Sequence, residues 1–189
     1  MKYNHIIMKR FLLLSTFLLG ISTAWSQENM ITINGGYAFA NVDDFDNQAT
    51  GWRINGVYEY NPQAGKFAHG VALGYARIQA SEGTGQLEKT GTVSSLPFYY
   101  APKISFGEGG VNLFVKGDLE MQIAWLKREG ILEITDMDIG FYGGGGAGLK
   151  IDLGEKLFIN AEYEIAWVSN SFYNDGWLNN AMAGIGFKF

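Results

Sequence analysis

Cysteine is absent from the 189-residue sequence, which excludes a disulfide framework, a cysteine nucleophile and a cysteine zinc site. Proline occurs only three times and no Ser/Pro-rich linker interrupts the chain, so the length predicts one folded domain. After the N-terminal region, no apolar run approaches the roughly 20 residues that a membrane-spanning helix needs. Glycine and aromatic residues are abundant instead, and this composition favours an all-β protein.

The N-terminus has the features of a secretory signal peptide. The basic pair Lys9 and Arg10 precedes an apolar stretch at residues 11–21, and small residues stand at the minus-three and minus-one positions before Gln27. The apolar stretch is too short to span a bilayer. We therefore predict a signal peptide at residues 1–26 that is cleaved during export.

The mature chain, residues 27–189, is the single predicted domain. Translation begins at Met1 or at Met8, since the sequence from Met8 makes a compact signal peptide by itself. Loss of three basic residues with the signal peptide leaves a formal charge of −8. An acidic chain lacks the basic surface that nucleic acid requires, so we exclude nucleic acid as a partner.

Apolar and polar residues alternate with a period of two along the mature chain. In residues 111–125 one parity is apolar apart from Gly117, and the other is mostly polar or charged, which is the pattern of a strand with two unlike faces. The same pattern recurs and predicts eight strands, with apolar faces at residues 31–39, 52–60, 71–75, 96–100, 111–125, 139–151, 157–167 and 181–189.

Eight such strands fit either a soluble barrel with a lipocalin-like apolar interior or a membrane barrel with its apolar face in lipid. The charged parity carries both signs on one strand, as Lys116 and Asp118 show, and this suits a packed polar interior. The apolar faces are about as long as the 9–11 residues of a tilted membrane strand. We therefore predict an all-β, eight-stranded antiparallel transmembrane up-and-down β-barrel.

The connections between strands predict an orientation, because outer-membrane barrels have short periplasmic turns and long outer loops. Longer polar stretches such as "QASEGTGQLEKTG" alternate with shorter ones such as "LGEK". With both termini in the periplasm, every mature tryptophan falls at the outer end of a strand. The predicted outer aromatic girdle is Trp52, Trp125, Trp167 and Trp177, all at similar depth.

Charged residues of the inward parity predict a charge network that fills the lumen. The predicted members are Arg53, Glu59, Lys116, Asp118, Glu120, Lys150, Glu162 and Glu164. Acids outnumber bases in this set, so each base is expected to contact more than one carboxylate. An alternative interpretation of Glu162 and Glu164 is an acid/base pair.

Four consecutive glycines, Gly143–Gly146, raise the question of a phosphate-binding loop. A Walker loop needs Gly-Lys-Ser/Thr at the start of a helix, whereas Gly148 is followed by Leu149 and more strand. Inward-facing glycines in a narrow barrel instead leave room for Arg53, Lys116 or Tyr142 to cross the lumen.

The stretch "GAGLKIDLGEKLFINAEYEI" resembles the late hairpin of OmpA/OmpX-type, or "porin family", outer-membrane barrels. The C-terminal "GIGFKF" is similar to the assembly signal of that family, with Gly184, Phe187 and the terminal Phe189 in the matching positions, while Met182 stands where a polar residue is usual. The resemblance implies a cell outer-membrane location and insertion by the outer-membrane assembly machinery.

The inventory of reactive residues favours a protein without an enzymatic site. The one mature histidine, His69, lies beside a predicted periplasmic turn, away from the outer leaflet where lipid-modifying barrels act. The acidic loop at Asp43, Asp44 and Asp46 lacks the spacing and glycine of an EF-hand. We expect no cofactor and no metal.

The predicted function is a structural or surface-contact role through the outer loops, with a lumen that side chains fill. The expected partners are outer-membrane lipid, the assembly machinery and an unidentified surface ligand, and the expected state is a monomer. Two alternatives remain, a narrow passive pore for small solutes and an outer-membrane lipid-modifying enzyme.

Overall fold

The computed structural model describes residues 28–62, 65–84, 88–107, 109–129 and 133–189. The predicted signal peptide lies outside these residues and stays a prediction. Eight strands pair in chain order and close into an antiparallel barrel, which confirms the predicted fold. They are β1 (Glu28–Val42), β2 (Ala49–Asn61), β3 (Phe67–Glu82), β4 (Lys89–Phe106), β5 (Val111–Glu129), β6 (Ile134–Asp152), β7 (Leu157–Val168) and β8 (Tyr173–Lys188). Among the described residues, no helix has the length and apolar character needed to cross a membrane.

The outward face of the barrel is apolar. Leu119 is 67% exposed and Phe141 is 68% exposed, while the neighbouring inward residues Asp118 and Glu120 are buried. A soluble barrel would reverse this arrangement, because its large apolar side chains would fill the interior. The outward face is therefore the one that lipid covers.

The two ends of the barrel differ in their connections. One end carries both strand termini and the connections at residues 62–66, 107–110 and 153–156, and we call it the inner end. The outer end carries the connections at 43–48, 83–88, 130–133 and 169–172. Outer-membrane barrels have short periplasmic turns and longer extracellular loops, so we assign the end with the longest connections, at 43–48 and 83–88, to the cell exterior.

Four strands are longer at the outer end than the sequence predicts. Like "QASEGTGQLEKTG", the stretch "LKREGILEITDMD" is predicted from the sequence to be one of the longer polar loops. In the structure β5 continues to Glu129 and β6 begins at Ile134, and β3 and β4 are extended in the same way. The physical reason is that the pattern inverts beyond the membrane. There the outward face is mostly polar, apart from residues such as Met137 and Ile139, and Ile78 and Leu126 are buried inside, as in a soluble barrel. We call the outer halves of β3–β6 the outer sheet.

The strand register fixes the tilt of the strands. Following paired residues once around the barrel from Met30 leads to Ala40, ten residues farther along β1. Such a stagger in eight strands corresponds to a tilt of about 40°. A row of paired residues therefore rises toward the outer end by about 3 Å at each step from β1 to β8.

Candidate functional site

A charged cluster crosses the middle of the lumen. The Arg53 guanidinium on β2 donates to Glu164 Oε1 on β7 at 2.9 Å, and its other terminal nitrogen lies 3.5 Å from Glu120 Oε2 on β5. The Tyr142 hydroxyl on β6 also donates to Glu164 Oε1, at 2.6 Å. These contacts join strands on opposite sides of the barrel, so the cluster ties the wall together across its interior.

Lys116 is the second cation of this cluster. Its Nζ lies 2.8 Å from Glu164 Oε2, 3.2 Å from Glu162 Oε1 and 3.7 Å from Asp118 Oδ1. The Lys116 side chain is only 6% exposed. Glu164 therefore accepts from both cations at once, and each cation contacts at least two carboxylates.

The structure brings six of the eight predicted lumen residues together and places the other two nearer the inner end. There Glu59 pairs with Lys103, and Lys150 Nζ lies 3.8 Å from Asp152 Oδ1. Sequence analysis missed Lys103, although it shares the inward parity of β4 with Ala101. A cavity of about 20 Å³, room for roughly one water molecule, separates these pairs from the central cluster.

An apolar plug closes the lumen on the outer side of the charges. Its bulky members are Phe45, Leu126, Val168, Phe172 and Tyr173, all buried. The two connections at 43–48 and 169–172 fold over the barrel mouth, and the Asp43 amide donates to the Phe172 carbonyl at 2.9 Å. Within the described residues, no group of three or more acidic or histidine side chains has metal-binding geometry.

The glycine run makes space inside the wall, as its parity predicts. A Cβ on Gly146 would stand 3.2 Å from Lys116 Cε, and one on Gly148 would collide with the Phe114 ring. Arg53 and Tyr142 do not occupy this space. The run continues β6 as ordinary strand and opens no helix, so it has no phosphate-binding geometry.

The sequence matches a family model for the outer membrane protein beta-barrel domain over residues 11–189. The chain belongs to this family. A search of curated proteins by sequence finds no significant match. Among solved structures, Neisserial surface protein A is similar with a TM-score of 0.62 at 14% identity, covering 85% of this chain and 97% of that one.

Two further solved structures resemble this outer-membrane β-barrel. Ail, the attachment invasion locus protein of Yersinia pestis, has a TM-score of 0.58 at 20% identity, covering 87% of this chain and 99% of that one. The outer membrane enzyme PagL has a TM-score of 0.50 at 14% identity, covering 85% and 98%. At these identities the likeness shows the fold alone.

The residues of the predicted assembly signal lie at the seam where the barrel closes. The Phe189 amide donates to the Asn29 carbonyl at 2.9 Å, and the Asn29 amide donates back to the Phe189 carbonyl at 3.1 Å. The Phe187 and Phe189 rings both face outward. Gly184 packs against the side-chain oxygens of Asn34 and Asn160, which leave no space for a Cβ.

The four predicted girdle tryptophans do not share one level. Trp52 and Trp125 lie in one row of paired residues, three strands apart, so Trp125 stands about 10 Å farther out. On β6, Met137 pairs with Trp125 and Gly143 pairs with Trp167. Gly143 lies six residues closer to the inner end than Met137. Trp167 and its partner Trp177 therefore return to within about 5 Å of the level of Trp52.

Exposed ion pairs lie on the surface of the outer sheet. Lys89 contacts Glu82 at 2.9 Å, and Lys127 contacts Glu129 at 2.6 Å. The hydrogen bond from Lys89 lowers the pKa of Glu82, and the hydrogen bond from Lys127 lowers the pKa of Glu129. Arg128 bridges Asp136 and Asp44, which fastens the 43–48 connection to the outer sheet.

His69 lies in β3 with its side chain on the outward face, at the inner end of the barrel. Its Nδ1 is 2.6 Å from the Tyr100 hydroxyl, and the Phe67 ring packs edge-on at 4.8 Å. His69 therefore lies beside the inner connection, as the sequence predicts, two residues after β3 begins at Phe67. The neighbours of His69 are aromatic girdle residues of the inner interface.

Proposed function

We propose that this protein is a non-enzymatic surface-contact barrel whose lumen passes no solute and whose outer sheet binds an extended polypeptide. The observation that carries the proposal is an open strand edge on β6. Residues 134–141 of β6 pair with β5 on one side, but β7 ends at Val168, opposite Tyr142. An unpaired edge of a sheet is a template for adding a strand.

The free backbone groups on this edge follow from the geometry of a strand. The Phe141 carbonyl and amide point toward the β7 side, where they bond Ser169 at 2.8 and 2.9 Å. Backbone groups alternate sides along a strand, so those of Thr135 and Met137 point the same way. The Ile139 amide is already capped by Asp138 Oδ1 at 2.8 Å. The open stretch is therefore short and centred on Thr135 and Met137.

Apolar side chains beside the edge supply anchors for a partner. Met137 is 64% exposed and Ile139 is 55% exposed, and Met137 pairs with Trp125 on β5. These residues lie about 10 Å outside the level of Trp52, beyond the main aromatic level. Large apolar side chains next to a free backbone edge are the elements that strand addition uses for affinity and specificity.

The filled lumen favours this role over that of a passive pore. A buried ion-pair cluster and an apolar plug lie in series along the barrel axis. An eight-stranded barrel is just wide enough for side chains to fill. We expect no steady ion conductance from the purified protein in planar bilayers, and steady single-channel currents would support the pore instead.

Among the described residues, none is placed to act as a catalytic residue for the enzyme alternative. PagL shows that the fold can host an enzyme. In the described part of this chain the only histidine is His69, which bonds a tyrosine at the inner end. A catalytic histidine needs a nucleophile or acid within hydrogen-bond reach of a bound substrate.

Substitution Met137→Pro tests strand addition directly. Proline removes the amide that points out of the sheet and spares the pairing with β5. Displayed random peptides selected on the wild-type barrel in nanodiscs should lose binding to Met137→Pro. They should keep binding to Thr135→Val, which retains every backbone donor. Peptides that bind Met137→Pro as well as wild type would contradict the edge as the contact site.

A further inference from the structure

Arg77 occupies an unusual place for a cation, on the lipid-facing parity of β3. Its row partners are Trp52 on β2 and Ser94 on β4, and its side chain is exposed. The row rises by one step from β2 to β3, so Arg77 stands about 3 Å outside the level of Trp52. Tryptophans mark the membrane–water interface. Arg77 therefore lies at the depth of lipid headgroups.

Arg77 differs from the other cations at the outer end. Lys89, Lys127 and Arg128 each have a carboxylate within 4 Å, at 2.9, 2.6 and 2.7 Å. Within the described residues, no carboxylate lies that close to Arg77 and its guanidinium stacks on no aromatic ring. The three cations that form ion pairs stand at least 10 Å farther out than Arg77. At the outer end, ion pairs of these outward cations therefore lie beyond the membrane interface.

The surroundings of Arg77 suit a lipid that carries a phosphate. Below it, the Trp52 and Tyr75 rings lie 5.3 Å apart and form an apolar surface for acyl chains. Beside it, Ser94 presents a hydroxyl. A guanidinium offers a planar fork of donors that matches phosphate oxygens in pairs, and it retains its charge at every physiological pH.

We propose that Arg77 is a binding residue for the phosphate group of an outer-leaflet lipid, with Trp52 and Tyr75 contacting the chains of the same lipid. Glu129 feels the charge of Arg77 only from beyond ion-pair distance, so a lipid phosphate at this depth would supply the close anion that the described residues do not. The proposal concerns the lipid-facing wall and is independent of strand addition at β6.

Lipid titrations of the purified full barrel test the proposal. Native mass spectrometry from detergent would measure dissociation constants for diphosphoryl lipid A, dephosphorylated lipid A and phosphatidylglycerol. Arg77→Gln should weaken binding of diphosphoryl lipid A about tenfold, the loss expected for one charge-assisted hydrogen bond. Arg77→Lys should recover part of it, because the charge remains without the planar fork. Unchanged heat-modifiable migration would show that the variants are folded.

Lys127→Gln is the matched control, since it removes an outward cation that already has carboxylate partners. A loss confined to diphosphoryl lipid A assigns the site to a phosphorylated glycolipid, and an equal loss with phosphatidylglycerol assigns it to phospholipid in general. Unchanged affinity of Arg77→Gln for both lipids would overturn the proposal. So would an equal loss in Lys127→Gln, because net charge alone would then explain binding.

Discussion

Lys116 and Glu164 form the closest ion pair in the centre of the barrel, with Nζ and Oε2 2.8 Å apart and both side chains buried. Glu164 also accepts from Arg53 through its other oxygen. One carboxylate therefore joins β7 to β5 and β2, and the cost of burying each charge is offset by its partners.

Removing one partner from this cluster should be costly. We expect Lys116→Ala to lower the free energy of unfolding by about 3–5 kcal/mol, because buried carboxylates lose their cation. Urea titration of the folded barrel in detergent measures the change. Lys127→Ala is the control, since its exposed ion pairs should leave the stability nearly unchanged. A Lys116→Ala barrel as stable as wild type would indicate a hydrated, pore-like lumen.

The membrane-embedded part of the fold could be predicted from sequence because one simple rule governs it. In residues 111–123 every outward position meets lipid, so the period of two gives the strand, its faces and the inward place of Lys116 directly. The same rule fails beyond the membrane, where Val93 and Leu126 are buried and most outward residues are polar. In the sequence, such a stretch of mostly polar residues resembles a loop.

Partners across the lumen could not be predicted in the same way. Parity places Glu59 and Glu164 on the inside alike, but only the stagger between strands decides that Glu59 meets Lys103 while Glu164 meets Lys116. The register sets this stagger, and the pattern within one strand carries no information about it. The prediction that Trp125 lies at the level of Trp52 is likewise made without the stagger between strands.

Tryptophan depth tests the register. We expect Trp52, Trp167 and Trp177 to be quenched alike by depth-specific brominated lipids, and Trp125 to be less accessible to them, because it stands about 10 Å farther out. Single-tryptophan variants in vesicles would give each depth separately. If Trp125 proved as deep as the other three, the assigned tilt would be wrong.

Deleting Phe189 should reduce the amount of folded protein in the outer membrane. Phe189 exchanges two backbone hydrogen bonds with Asn29 at the closing seam, and its ring belongs to the predicted assembly signal. Heat-modifiable migration of the membrane fraction measures folded protein. Phe189→Ala separates the two causes, because it keeps the seam and removes the ring. Normal folding of Phe189→Ala with failure of the deletion would assign the defect to the seam.

Two glycines of β6, one in the run of four and one just after it, should respond in opposite ways to a methyl group. Gly148 faces the lumen, where a Cβ would lie 2.5 Å from the Ala161 carbonyl and collide with the Phe114 ring. Gly143 faces lipid, and nothing lies within 4 Å of its Cβ position. Neither has a positive φ, so alanine is compatible with both backbones.

We therefore expect Gly148→Ala to destabilise the barrel by about 1–3 kcal/mol through overpacking. Gly143→Ala should leave stability unchanged or raise it slightly, because alanine restricts the unfolded chain. Urea titrations of both variants beside wild type give the comparison. Equal destabilisation by the two substitutions would show that these glycines are needed for backbone freedom. Overpacking against Phe114 would then not explain the effect of Gly148→Ala.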